Sequence, residues 1–194
     1  MKKKLIFATG NEGKMKEVRE ILADSGYEIL SMKEAGVDLE IVEDGTTFEE
    51  NALIKARAVM EATGELTLAD DSGLEIDAFD GGPGVYSSRY LGEDTPYTEK
   101  NQIILDKMKD VPEQERTARF VCVIAAIFPD GQTYTTRGTM EGIIGYEASG
   151  ENGFGYDPIF YLPELKKYSA QLSSNEKNEL SHRGEALRKI KEVL

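Results

Sequence analysis

The spacing of apolar and polar positions along this chain changes repeatedly, and each change marks an element. Leu5 to Ala8 is a short unbroken apolar run, which predicts a buried strand. A polar, glycine-containing loop then leads into a helix from about Lys14 to Asp24, closed by Gly26. Thr47 followed three residues later by Glu50 is a capping box, so Phe48 to Thr63 is expected to be helical with Gly64 as its stop. Leu66 to Asp70 and Leu74 to Phe79 read as two strands on either side of an Asp-Ser-Gly break, and Gly81-Gly82-Pro83-Gly84 turns the chain. Thr98 to Lys109 is expected as a helix, and Arg119 to Phe128 is the near-continuous apolar run of a strand buried on both faces. Pro129-Asp130-Gly131 turns into a second strand from Gln132 to Arg137 and beyond. Gly150 to Pro158 reads as an irregular loop. A last helix, roughly Arg183 to Val193, carries Ala186, Leu187, Ile190 and Val193 on one side. This mixture predicts an α/β fold with a central mixed sheet. The elements are spread too evenly for a linker to be placed, so residues 1 to 194 are read as one domain.

Composition narrows the function classes. The chain has 194 residues, 40% hydrophobic and 30% charged, enough for a sizeable core. A formal net charge of -13 argues against a non-specific binder of nucleic-acid polymers or acidic membranes, since both need clustered Lys and Arg. A small phosphorylated ligand remains compatible, provided that a few local cations and a metal offset the global repulsion. Cys122, the only cysteine, lies in the apolar run and reads as a buried hydrophobe, which excludes an intrachain disulfide. No stretch is long and apolar enough to span a membrane, and Leu5 to Ala8 is too short for a signal-peptide core. A reducing cytoplasm is the expected compartment.

Five clusters could carry chemistry beside the acidic pair Asp70-Asp71. On an alternating strand these two carboxylates point to opposite faces and cannot share a proton, so they have different roles. Thr9-Gly10-Asn11-Glu12-Gly13-Lys14 joins the first strand to the first helix and can hold an anion on backbone N–H groups and Lys14, although it matches neither a P-loop nor a Rossmann fingerprint. Lys55 shares the apolar helix face of Phe48, Ala52 and Val59, with Asn51 one turn earlier to orient it. Glu43-Asp44-Gly45 reads either as a solvated acidic loop or as the source of an oxygen ligand to the same Mg2+ as Asp71. Gly153-Phe154-Gly155-Tyr156-Asp157-Pro158 offers a ring for stacking and an acceptor for a base. Ser181-His182-Arg183 combines a helix N-cap with donors suited to a base carbonyl.

In this order the segments resemble the inosine triphosphate pyrophosphatase family. The resemblance runs through Ala8-Thr9-Gly10-Asn11, Lys14, Phe48-x-x-Asn51-Ala52-x-x-Lys55-Ala56 and Asp70-Asp71-Ser72-Gly73-Leu74. It continues in Pro83-Gly84-Val85-Tyr86-Ser87-Ser88-Arg89, Gly153 to Pro158, Lys177 and Ser181-His182-Arg183, and so covers nearly the whole chain. It implies an elongated two-lobed mixed-sheet fold with a central cleft, a homodimer, and Mg2+-dependent conversion of deaminated purine triphosphates (ITP, dITP, XTP) to monophosphate and pyrophosphate. By the same resemblance Thr9, Gly10, Asn11, Glu12, Gly13, Lys14 and Lys55 hold phosphates and Ser72 contacts phosphate or sugar. Phe154, Gly155, Tyr156 and Asp157 read the base, with Lys177, His182 and Arg183 completing its pocket. Glu43 and Asp71 serve the metal, with Asp44 and Asp70 as open alternatives, and Asp71 is also the general base. Two rivals stand beside this reading: a pyrophosphatase of pyrimidine or methylated nucleotides, which would lack Ser181-His182-Arg183, and a nucleotide-binding sensor without turnover.

Overall fold

A computed structural model describes residues 2 to 194. The chain runs β1 (Lys3–Phe7), α1 (Glu12–Ile21), β2 (Tyr27–Ser31), α2 (Phe48–Thr63), β3 (Leu66–Ile76), β4 (Gly82–Pro83), α3 (Tyr97–Lys107), β5 (Thr117–Ile127), β6 (Thr133–Ile144), β7 (Phe160–Leu162), β8 (Lys167–Tyr168), α4 (Ser174–Leu180) and α5 (His182–Lys191). The strands are hydrogen-bonded in the order β2-β1-β3-β5-β6-β7-β8, with β4 on β3. β1 pairs in parallel with β2 and β3, while β7 is antiparallel to β6 and β8, so the sheet is mixed as expected. Two compact units divide the chain. One comprises the residues up to Asp71, Cys122–Gly138 and His182–Leu194; the other comprises Ser72–Val121 and Thr139–Ser181.

In the first unit the strand alternation puts Leu5 and Phe7, Leu66 and Leu68, and Cys122, Ile124 and Ala126 on one face. Met15, Val18 and Leu22 of α1 and Ala186, Leu187 and Ile190 of α5 bury their stripes against them. Gly138 on β6 lets the start of α5 approach the strand: a side chain there would collide with the His182 carbonyl. In the second unit Leu74, Ile76, Ala118, Phe120, Met140 and Ile144 take Ile104, Leu105 and Met108 of α3 against them. Arg116 closes that core without a carboxylate. Its buried guanidinium donates to the Ile144 carbonyl at 2.8 Å, Met108 at 2.5 Å, Val111 at 3.2 Å and Gly145 at 2.5 Å.

Most boundaries follow the residues that set them. α2 begins on the Thr47–Glu50 capping box and ends at Gly64 with φ +69°, both as read from the sequence. The largest departure is β3. No break occurs at Asp71-Ser72-Gly73: Leu66–Ile76 is one strand, with Gly73 buried inside it. Glycine weakens a strand but does not end one whose flanking residues Leu68, Ala69, Leu74 and Ile76 are wholly buried. β2, α4 and the short strands β7 and β8 had no periodic signal long enough to show.

Replacing Thr47 with Ala removes the side-chain acceptor for the Glu50 amide. A loss of about 1 kcal/mol in urea unfolding is expected, with an unchanged m-value.

Candidate functional site

Where β1 ends, Thr9 Oγ1 accepts the Asn11 amide and Asn11 Oδ1 caps α1 by accepting the Lys14 amide, each at 3.1 Å. The caps leave the N–H groups of Glu12 and Gly13 at the positive end of the helix. Lys14 turns inward and grips Asp70 at 2.9 and 3.2 Å. Asp70 is wholly buried and is also reached by Arg183 at 3.4 Å, while the same guanidinium binds Glu17 at 2.5 Å. Burial disfavours the Arg183 charge, but Glu17 and Asp70 outweigh it and raise its pKa.

Asp71 has different company. Asn51 Nδ2 donates to Asp71 Oδ2 at 3.1 Å, and Asn51 Oδ1 accepts the Gly45 amide at 2.9 Å. Asn51 therefore orients the carboxylate and the acidic loop, not Lys55 as its helical spacing suggested. Lys55 instead meets Glu43 at 2.8 Å. Burial pulls the Lys55 ammonium down, yet Asp70, Glu43 and Asp71 together leave its pKa raised. Burial also pushes the Asp71 carboxyl up, to about 6, against the opposing pull of Lys55 and Asn51, with Asp70 adding to the rise. Lys14 and Arg183 thus reach Asp70 while Asn51 holds Asp71, and the two carboxylates act on each other and both on Lys55.

The second unit holds the aromatic loop. Asp157 is its anchor: Ser169 Oγ donates to Oδ1 at 2.8 Å, while the Phe154 amide at 2.9 Å and Lys177 Nζ at 2.7 Å share Oδ2. The Lys177 ammonium lies 4.6 Å from the centroid of the half-buried Phe154 ring. Gly153, at φ +71°, has to be glycine because any side chain would run into the Asp157 carboxylate. Tyr156 is buried and donates to the Ser87 carbonyl at 2.5 Å. Ser72 is half-buried on β3.

The expected residues fall in both compact units of the chain. Thr9 to Lys14, Glu43, Lys55, Asp70, Asp71, His182 and Arg183 belong to the first unit; Ser72, Phe154 to Asp157 and Lys177 belong to the second. Arg183 reaches both Asp70 and Glu17. Glu17, Ser169 and Asn101 escaped the sequence reading. Glu17 alone left a trace there, a charge between the apolar Met15 and Val18 on the inner side of α1.

Among the described residues no three His, Cys, Asp or Glu side chains converge as a metal cage. Mg2+ does not need one, since it keeps waters or substrate phosphates beside one or two carboxylates. Asp71 fits that demand: it is buried, it is costly to ionise, and Oδ1 accepts no hydrogen bond among the described residues. Glu43 is 36% exposed and reaches the same lysine that acts on Asp71.

Known proteins share this sequence and fold. The Ham1 family model matches residues 5–193. A dITP/XTP pyrophosphatase of Desulforamulus reducens is 51% identical over 98% of this chain and 95% of its own length, and that of Bacillus subtilis is 47% identical over 99% and 97%. The Staphylococcus aureus Ham1 protein superposes with a TM-score of 0.87 at 41% identity, covering 98% of this chain and 97% of that one. The chain is a mixed-sheet α/β protein of the kind those structures share. It belongs to the Ham1 family.

The raised pKa of Asp71 has a consequence for the metal-free protein. Between about pH 4 and pH 6 the unfolded chain releases this proton while the folded chain keeps it, so the group's contribution to stability falls as pH rises through that window. Asp71→Asn is expected to abolish the decline, a difference on the order of 2 kcal/mol by pH 7. Urea melts at intervals from pH 4 to 7 check it; a wild-type-to-variant difference that stays constant across the window contradicts it.

Proposed function

We propose that this protein hydrolyses deaminated purine nucleoside triphosphates, dITP, XTP and ITP, to the monophosphate and pyrophosphate. Asp71 carries the reading: a buried carboxylate, held by Asn51 on one oxygen and beside Lys55, has the chemistry of a base for water. The family membership and the names of the relatives support the same activity.

The substrate's phosphates engage the N-terminal amides of α1, Lys14 and Lys55, with Thr9, Gly10, Asn11, Glu12 and Gly13 lining the turn. Lys14, Lys55 and Arg183 face four carboxylates, Asp70, Asp71, Glu43 and Glu17, so this region alone does not favour a polyanion. That imbalance supports a divalent cation, Mg2+, on Asp71 and Glu43, with Asp44 and Asp70 as alternatives. Mg2+ held by these carboxylates would supply charge neutralisation for the phosphates and would make the attacking water more acidic. The Asp71 carboxylate accepts the proton of the attacking water, and Lys14 and Lys55 stabilise the charge that spreads over the phosphate oxygens. Ser72 contacts phosphate or sugar. Phe154 stacks on the base, and Gly155, Tyr156, Asp157 and Lys177 form its edge contacts, with His182 and Arg183 as further donors. Donors favour the 6-oxo group of hypoxanthine and xanthine, where adenine carries an amino donor. The working form in this reading is a homodimer in the cytoplasm; among the described residues no helix is long and apolar enough to cross a membrane.

Pyrophosphate release from dITP, XTP, ATP, GTP, UTP and dTTP, with and without Mg2+, tests the proposal. Mg2+-dependent preference for dITP and XTP is expected. Preference for UTP or dTTP points to the pyrimidine rival, and orthophosphate release overturns the reaction type. Asp71→Asn is expected to keep triphosphate affinity within about tenfold while losing most of kcat. Unchanged hydrolysis removes Asp71 as the base, and tight binding without turnover in the wild type leaves only a sensor.

A further inference from the structure

The aromatic loop has one soft joint. Tyr156 is clamped: its hydroxyl donates to the Ser87 carbonyl, and its ring meets Tyr97 edge-on at 5.1 Å between centroids. Phe154 and Asp157 are tied to each other through the Phe154 amide. Between them Gly155 sits at φ +63°, and a glycine there tolerates a half-turn of the peptide that follows it. Such a turn exchanges the two edges of the Gly155–Tyr156 peptide. One edge is a carbonyl acceptor and the other an N–H donor, pointing in opposite directions.

Asn101 of α3 decides between the two. It is 3% exposed, and its Nδ2 donates to the Gly155 carbonyl at 3.1 Å. With the carbonyl held on that side, the Tyr156 N–H is directed away from Asn101, and no group among the described residues accepts it. Asn101 Oδ1 is buried and likewise has no hydrogen-bond partner among the described residues. A leucine would fill the same space without that unsatisfied acceptor, so the amide is not explained by packing. What it adds is the orientation of one peptide.

We propose that Asn101 is a positioning residue for base specificity: by holding the Gly155 carbonyl it fixes the loop so that the Tyr156 N–H is presented to the 6-position of the base. A donor suits the 6-oxo group of a deaminated purine. The flipped peptide would present the Gly155 carbonyl instead, which suits the 6-amino group of adenine. The inference rests on the assignment of Gly153 to Asp157 as the base-reading loop.

Its test is the ratio of kcat/KM for dITP to that for dATP at pH 8 with Mg2+, in wild type, Asn101→Leu and Asn101→Asp. The leucine variant loses the hold on the carbonyl, and the ratio is expected to fall about threefold. The carboxylate repels the Gly155 carbonyl and accepts the flipped Tyr156 N–H, so Asn101→Asp is expected to lower the ratio about tenfold, through both a higher KM for dITP and a lower KM for dATP. A merely structural role lowers both substrates together and leaves the ratio in place. An unchanged ratio in both variants therefore overturns the inference, as does a fall for leucine as large as that for aspartate. The leucine variant alone decides the matter if the aspartate variant does not fold: a fall supports the inference, an unchanged ratio overturns it. A wild type with no preference for dITP overturns the functional reading and this inference with it, so the two failures are read in different arms.

Discussion

A wholly buried carboxylate, Asp70, sets the terms for the first unit. Left alone in that position its charge would be prohibitive, and it is tolerable because Lys14 and Arg183 both reach it and Glu17 holds Arg183 in turn. Those contacts fix three elements against one another: α1 through Lys14 and Glu17, β3 through Asp70, and α5 through Arg183. They also set the electrostatics next door. The same negative charge keeps Lys55 protonated despite its burial and makes Asp71 harder to ionise. Burial is the larger cause of the raised Asp71 pKa, and the charge of Asp70 adds to it.

The sequence revealed those parts whose signals are local. The Thr47–Glu50 capping box and Gly64 defined α2 to the residue, because caps are satisfied within one turn of chain. Asp71, Lys14 and Lys55 stood out because charge on an apolar face or at a strand end requires a partner. The identity of the partner was not local. Asn51 is four residues from Lys55 on the same helix, yet its amide turns to Asp71, twenty positions away in sequence. Arg183 showed the same limit. The carboxylates that reach it, Glu17 and Asp70, come from other elements. The supposed break at Gly73 failed for a related reason: local propensity was weighed without the burial that neighbouring elements provide.

Burial of charge is solved differently in the second unit, and the difference bears on function. Arg116 is as deeply buried as Asp70 but meets only carbonyl oxygens, with the ring of Tyr146 stacked at 4.2 Å. Carbonyls do not titrate, so this arrangement holds its geometry at any pH at which the protein is folded. It also places a cation at the negative end of α3, where Met108 caps the helix, and so secures the element that carries Asn101. The first unit surrounds its buried charge with other ionisable groups and gains tunable pKa values. The second surrounds its buried charge with backbone and gains a fixed frame. On the proposed assignment of residues, proton transfer from water would use the former, and discrimination between an oxo and an amino group on a purine would use the latter.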